Sequence, residues 1–454
     1  MSSILLKAGR VIDPANGVDR VMDVLVRDGV IDALHDPGAI PAEDDANVID
    51  AKGLWIVPGL IDPHVHLRDP GFPEKENISS GLRAAAAGGF TTVAAMANTS
   101  PVNDVPEITR YMLERAREVG AARLVPVSAV TKSLAGRELV EFEKMAAAGA
   151  RLFSDDGIPI DDLALLTRAF DSTKALGMAI SLHEEDRGLS CNGAVNAGEV
   201  SKRLGVAGYS DAAESARVRR DLSVALGAGA SVHVAHVSTA DSLALIRAAR
   251  RNGAQVSCEV TPHHFALDDT AVLTWGPNAK MNPPLRNARN VEALHEAMAD
   301  GTIDMIATDH APHDPHSKQM DHFAAIFGPD APTPHLTHDL ADIFQQAANG
   351  VVGLETSLGL TLALVRRGII SAPRMVQMMA TNPARLLRLD RGALGIGDTA
   401  DITLIDPEIE WTVAPEKFLS KSRNTPFSGT LLHGRTILTI VDGAIVFDGR
   451  KETP

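Results

Sequence analysis

The chain runs to 454 residues, 45% of them hydrophobic, with a formal net charge of −15. That length exceeds one small domain and suits a large α/β barrel with an accessory domain. The negative charge argues against nucleic-acid backbone binding as the main task, while leaving room for a local cationic pocket that takes an anionic substrate.

The N-terminus lacks a basic region followed by an apolar core, so no secretory signal is expected. Residues 4–50 are β-rich. Apolar runs at 21–26 and 30–34 flank Asp28-Gly29, a pair that reads as a hairpin turn. From 54 to 389 short apolar strands alternate with amphipathic helices. Strands are expected at 55–61, 91–97, 123–129, 151–154, 178–182, 231–235, 255–259 and 305–308. Helices are expected between them at 79–87, 106–119, 138–148, 161–176, 213–226 and 242–251. Eight β/α repeats over this length predict a TIM (β/α)8 barrel. An open doubly wound sheet is the alternative, but no Gly-x-Gly-x-x-Gly turn follows the first strand. The C-terminus returns to the β pattern at 400–406, 436–441 and 444–447, with Asp442-Gly443 as a turn. The two ends predict one composite β-sandwich-like domain, residues 1–53 and 395–454, beside a barrel at 54–394, because chain ends often lie close in space.

No stretch approaches the ~18–20 consecutive apolar residues of a membrane span. Two cysteines, Cys191 and Cys258, are too few for a disulfide framework or a cysteine-rich zinc site. Their scarcity suits a reducing compartment, and a cytoplasmic protein without membrane contact is expected.

The residues that carry chemistry sit just past the strands. His64 and His66 follow the first strand with period two, so both imidazoles point to one side and form two arms of a metal site. Arg68 shares their parity and can grip a carboxylate with a two-pronged fork. Strand two is followed by Asn98, strand four by Asp155, strand five by His183, strand six by His236, and strand eight by Asp309 and then His313. Singly, each has an ordinary explanation as a turn residue or a cap. Jointly they are the cluster expected where barrel strand ends converge on an active site.

Six metal-ligand candidates (His64, His66, Asp155, His183, His236 and Asp309) exceed what one catalytic zinc takes, so two metals are expected. Strand four carries no lysine, and Asp155 is read as the bridging ligand, with Asp156 as the fallback and otherwise a turn residue before Gly157.

Several longer motifs narrow the reading further. They are Asp62-Pro63-His64-Val65-His66-Leu67-Arg68-Asp69-Pro70-Gly71, Ala97-Asn98-Thr99, Phe153-Ser154-Asp155-Asp156-Gly157 and His236-Val237-Ser238-Thr239. Later come Thr261-Pro262-His263-His264, Met281-Asn282-Pro283-Pro284-Leu285-Arg286, Ala307-Thr308-Asp309-His310-Ala311-Pro312-His313, Gly353-Leu354-Glu355-Thr356 and Asn424-Thr425-Pro426-Phe427. With these the chain resembles, over essentially its whole length, the class I dihydroorotases of the amidohydrolase superfamily.

That resemblance implies reversible cyclisation of N-carbamoyl-L-aspartate to dihydroorotate, a step of pyrimidine biosynthesis. It implies two zinc ions per chain bridged by Asp155 and a water or hydroxide. His64, His66 and Asp309 would hold the first ion, and His183 and His236 the second. Asp309 would also be the catalytic acid–base group. The substrate would meet His66, Arg68, Asn98, Asn282, His313 and the backbone near Asn349 and Gly350. His263 and His264 would either support the metal ligands or pack in the core, and His233 is read as structural.

Two features depart from the wider superfamily, or from the family itself. The carboxylated lysine common on strand four is absent, and segment 314–348 is longer than expected. That segment holds His316, His322, His335 and His338, read as loop histidines on a lid or an interaction surface.

Two rivals are carried. A hydantoinase or allantoinase would share the fold and metals but lack the Arg68 and Asn98 clamp. A catalytically inactive scaffold subunit for aspartate transcarbamoylase would lack metal ligands, and none is missing. A homodimer, alone or associated with aspartate transcarbamoylase, is the expected assembly.

Overall fold

The protein is described by a computed structural model covering residues 3–40, 46–321, 323 and 338–451. Of the long segment after His313, His322 and His335 lie outside the described residues, together with 324–334 and 336–337. What is described on either side is a turn that follows His313 and a helix at His338–Gln346.

Eight parallel strands form the centre, in sequential order around the barrel. They are strand one Leu60–Val65, two Phe90–Ala95, three Arg123–Ser128, four Leu152–Phe153, five Ile180–Leu182, six Ser231–Val234, seven Gln255–Val260 and eight Met305–Ile306. Strand one meets the chain just beyond strand eight through a parallel bridge between Val65 and His310. The His66 amide also donates to the His310 carbonyl at 2.8 Å. This contact closes the ring and places His66 beside Asp309.

The strands form because β-branched and aromatic side chains fill both faces. Ile61, Val65, Val93, Phe153, Ile180, Val232 and Val260 are at most 1% exposed, and each such burial contributes about 1.5–3 kcal/mol. Helices cover the outside, with ends set by local chemistry. Pro106–Val119 begins on a proline and stops at Gly120 in the left-handed region. Ala240–Arg251 begins where the Thr239 hydroxyl accepts the Ser242 amide, three residues past His236.

Both chain ends build a second, mainly antiparallel sheet. Its main path runs Ala444–Asp448, Leu431–Val441, Ile402–Thr412, Trp55–Pro58, Ile4–Asp13, Val18–Arg27 and Val30–His35, with Asn47–Asp50 pairing in parallel to Ile4–Asp13. Leu6 and Ile56 from the N-terminal part pack with Leu404 and Ile440 from the C-terminal part, all fully buried.

The apolar run 55–61 is therefore not one barrel strand. Trp55–Pro58 pairs with Ile402–Thr412 in the second sheet, and Leu60–Val65 enters the barrel. Gly59 makes the crossing where a Cβ would fall 2.3 Å from the Thr91 side chain, so no larger residue fits. Among the described residues, no helix is long and apolar enough to cross a membrane.

Candidate metal centre and substrate pocket

Strand ends deliver their side chains to one mouth of the barrel, where a cavity of about 290 Å³ opens. Its wall includes His66, Asp156, His183, His236 and Asp309, and opposite them Arg68, Asn98, Asn282, His313, Asn349 and Gly350. His64 lies beneath, fully buried.

Two groups of ligand atoms can each surround a cation: His64, His66 and Asp156, and then Asp156, His183 and His236. Within each group the atoms lie no more than 4.8 Å apart, and Asp156 belongs to both. Asp309 Oδ1 joins the first group, 3.0 Å from His66 Nε2 and 3.6 Å from His64 Nε2. In the second, His183 Nδ1 stands 3.0 Å from His236 Nε2, and each is 3.7 Å from Asp156 Oδ1.

The shared carboxylate corrects the expectation for Asp155. Strand four ends at Phe153, and Asp155 turns back into the wall. There it accepts the amides of Val130 (2.7 Å) and Thr131 (3.0 Å) and the Thr131 hydroxyl. Those bonds tie the end of strand three to strand four and occupy both oxygens. Burial still pushes the Asp155 pKa up to about 6. Asp156, one residue on, faces the cavity and replaces Asp155 as the bridging candidate.

The ligands are aimed from behind. His64 Nδ1 meets Glu259 Oε1 at 2.7 Å, and the other Glu259 oxygen is 3.0 Å from His233 Nε2. His66 Nδ1 meets Asn98 Oδ1 at 2.9 Å. His183 Nε2 is 3.4 Å from Glu185 Oε2. A carboxylate or amide oxygen on one ring nitrogen fixes the tautomer and turns the other nitrogen inward as a lone-pair donor.

His64 Nε2 is consequently buried without a hydrogen-bond partner. An orphaned imidazole nitrogen facing two carboxylates is what a cation would satisfy, so the donor set fits a metal. The local charge agrees. Burial alone would lower the His64 pKa, but Asp156 and Glu259 carry it well above the ordinary value. Burial alone would raise Asp156 and Asp309, but the surrounding histidines hold both below the carboxylate range. The pocket favours a positive charge between ionised oxygens.

The opposite wall is cationic. Arg68 Nη2 lies 3.2 Å from His313 Nε2, and its Nε donates to the Pro312 carbonyl at 3.4 Å. Burial lowers Arg68 only to about 10, because Asp309 and Asp156 oppose it, so the guanidinium stays charged. Burial and then the Arg68 charge press His313 down to about 2, leaving a neutral imidazole. Asn282 donates to Glu185 Oε2 at 3.0 Å, while its own oxygen is buried and unpartnered.

Arg68, His236 and Asp309 all adopt positive φ, at 59°, 32° and 45°. Non-glycine residues rarely do so, and such strain persists where surrounding structure over-determines it, as at a functional site.

Every residue expected to touch substrate lines this one cavity, and of the expected metal ligands only Asp155 points elsewhere. His264 Nε2 donates to the Pro283 carbonyl (2.9 Å) and its Nδ1 accepts the Thr261 hydroxyl (2.6 Å), which anchors the Asn282 loop. His233, read as structural, is buried and meets Glu259 Oε2 at 3.0 Å and Ser257 Oγ at 2.8 Å. Sequence reasoning missed Glu259, Glu185 and Asp62. Asp62 is fully buried and accepts the amides of His64 and Thr308, both at 3.1 Å, binding strand one to strand eight. The signal for Glu259 was present: the one charged residue of strand Gln255–Val260 lies between Cys258 and Val260, and a buried acid there must have a partner.

A model for dihydro-orotase-like proteins matches residues 53–242. A dihydroorotase of Citrifermentans bemidjiense is 45% identical over 98% of this chain and 99% of its own. One of Anaeromyxobacter dehalogenans is 44% identical over 99% of both. Among solved structures, an L-hydantoinase from Arthrobacter aurescens has a TM-score of 0.84 at 26% identity, covering 99% of this chain and 96% of its own. A dihydropyrimidinase from Brevibacillus agri reaches 0.79 at 24%, a likeness of fold, covering 98% and 95%.

Proposed function

This chain belongs to the dihydroorotase family of metal-dependent cyclic amidohydrolases, and from that premise we propose how its residues interconvert N-carbamoyl-L-aspartate and dihydroorotate. The observation that carries the proposal is one cavity with two cation-ready groups sharing Asp156 on one wall and the Arg68–His313 pair on the other.

Two zinc ions are proposed, one held by His64, His66, Asp156 and Asp309, the other by Asp156, His183 and His236. The support is the mixed imidazole and carboxylate donor set. Such ions supply Lewis acidity and make water acidic enough to act as a nucleophile at neutral pH.

The chain's own groups do the rest. Arg68 takes the substrate carboxylate with its fork, assisted by His313 and by the Asn98 amide, whose nitrogen makes only a long 3.4 Å bond to Asp156. The unpartnered Asn282 oxygen accepts a ring N–H, and the Asn349–Gly350 backbone borders the same edge. Asp309, ionised and on the cavity wall, takes a proton from the attacking water and returns it to the departing ring nitrogen. Ring closure runs the same transfer backwards.

The assay is ring opening of dihydroorotate compared with hydantoin and dihydrouracil, which lack the carboxylate. The expected result is a strong preference for dihydroorotate that collapses in Arg68→Met. Equal rates on all three in wild type would make this a hydantoinase-type enzyme instead.

A further inference from the structure

Three backbone segments far apart in sequence meet at the recognition wall. One follows strand eight and carries His313. A second carries Asn349 and Gly350. The third is a C-terminal arm between the last long strands. Two buried side chains join them.

Asn424 is 5% exposed, and its amide is fully used. Its Oδ1 accepts the His313 amide, and its Nδ2 donates to the carbonyls of Ala311 and Gly350, all at 3.0 Å. Its own carbonyl accepts the Val352 amide at 2.9 Å. Lys318 is fully buried. Its three ammonium protons meet three carbonyls, Ala348 at 2.8 Å and Lys280 and Gly350 at 3.1 Å.

Both side chains therefore converge on the Gly350 carbonyl. Gly350 has no slack of its own. Its φ is +120°, a Cβ would lie 2.4 Å from Ala311 Cβ, and its amide donates to the Lys280 carbonyl at 2.9 Å. Burying an ammonium among neutral carbonyls is costly, and burial pushes the Lys318 pKa well below its ordinary value. A cost of that kind is retained when it buys geometry.

We propose that Asn424 and Lys318 are positioning residues that clamp the Gly350 carbonyl and hold the two segments bearing His313 and Asn349–Gly350 ready for the substrate. Neither touches the cavity or a metal-ligand candidate. Their effect is preorganisation: the ordering cost of the recognition wall is met on folding rather than on binding. The proposal rests on the reading that His313 and Gly350 face the substrate.

The test uses the metal-loaded enzyme and dihydroorotate. Asn424→Asp is isosteric and keeps the acceptor for the His313 amide, but sets an oxygen against two carbonyls. Lys318→Met removes the ammonium. Each variant is expected to raise KM about tenfold or more, the consequence of leaving buried carbonyls unpaired. In each, kcat stays within about threefold and metal content is unchanged. Because both act on one carbonyl, the double variant is expected to fall short of the product of the single effects.

Asn424→Ser substitutes where the aspartate variant does not fold. His313→Ala is the reference for the reading beneath the proposal. If His313→Ala raises KM while the clamp variants lower only the melting temperature, the clamp is overturned and the substrate reading stands. If His313→Ala leaves KM unchanged, the substrate reading falls and takes the clamp with it. Fully multiplicative effects in the double variant would also overturn a shared point of action.

Discussion

The metal wall and the recognition wall of the cavity share one space but are built by different means. On the metal wall, His64, Asp156, His183, His236 and Asp309 stand within a few residues of barrel strand ends. The histidine rings are backed by acceptors such as the buried Glu259 and the half-buried Glu185. On the recognition wall, Arg68, His313 and Gly350 come from loops, and Asn424 and Lys318 tether the two segments that carry His313 and Gly350. The barrel thus fixes the chemistry through its own hydrogen-bond ladder, while selectivity hangs on a few long-range tethers. Damage to the first wall should remove metal or turnover. Damage to the second should remove substrate affinity and leave the metal in place.

The sharpest way to break that division is on the metal wall. Asp309→Asn should cut turnover by at least about 10³-fold in both directions, since an amide cannot carry the shuttled proton, within the range that general acid–base groups supply. Metal content must be read beside the rate. A variant that keeps its metal and turns over within tenfold of wild type would pass the proton role to another group, His313 first.

Arg68→Met probes the other wall. It should cost about 2–5 kcal/mol of transition-state stabilisation, as for losing one partner of a buried charged pair, with metal content intact. Loss of metal in this variant would erase the distinction between the walls.

Glu259→Gln tests the backing of the metal wall. It keeps an oxygen for His64 but loses the charge, and metal affinity should drop about 10–100-fold. It also has a pH signature in the metal-free protein. Against the opposing effect of burial, His64 and His233 hold Glu259 at about 2, below its ordinary 4.5. A depressed carboxyl pKa stabilises the fold above the unfolded value, and that contribution is lost as pH falls through the folded one. Roughly 3 kcal/mol, at 1.36 kcal/mol per pH unit, should separate wild type from Glu259→Gln near pH 5 and vanish toward pH 2. A constant gap across that window would mean the Glu259 charge is not coupled to folding.

The same contrast explains what could be read in the sequence. The barrel was legible because short apolar runs alternate with amphipathic helices, and the metal histidines because they follow those runs directly. The boundary at Gly59 was not legible. One continuous apolar run serves two sheets, and only the approach of Thr91 marks the crossing. Asp155 and Asp156 were exchanged because pairing in strand four stops at Phe153, so side-chain alternation cannot be carried past it. Asn424 and Lys318 had no readable role. Their partners are backbone groups, among them carbonyls 113 residues away for Asn424 and Ala311 and 30 for Lys318 and Ala348. A carbonyl has no sequence signature.

The central claim is that one aspartate joins two metal sites in a dihydroorotate-opening centre. It is tested most directly by stripping the protein of metal and titrating zinc back while following ring opening, in wild type, Asp156→Ala and Asp155→Ala. Activity in wild type should rise to a plateau at two zinc ions per chain. Asp155→Ala should reach the same stoichiometry with lowered stability, and Asp156→Ala should hold neither full complement nor activity. A wild-type plateau at one ion, or an Asp156→Ala variant that binds two and turns over normally, would contradict the account.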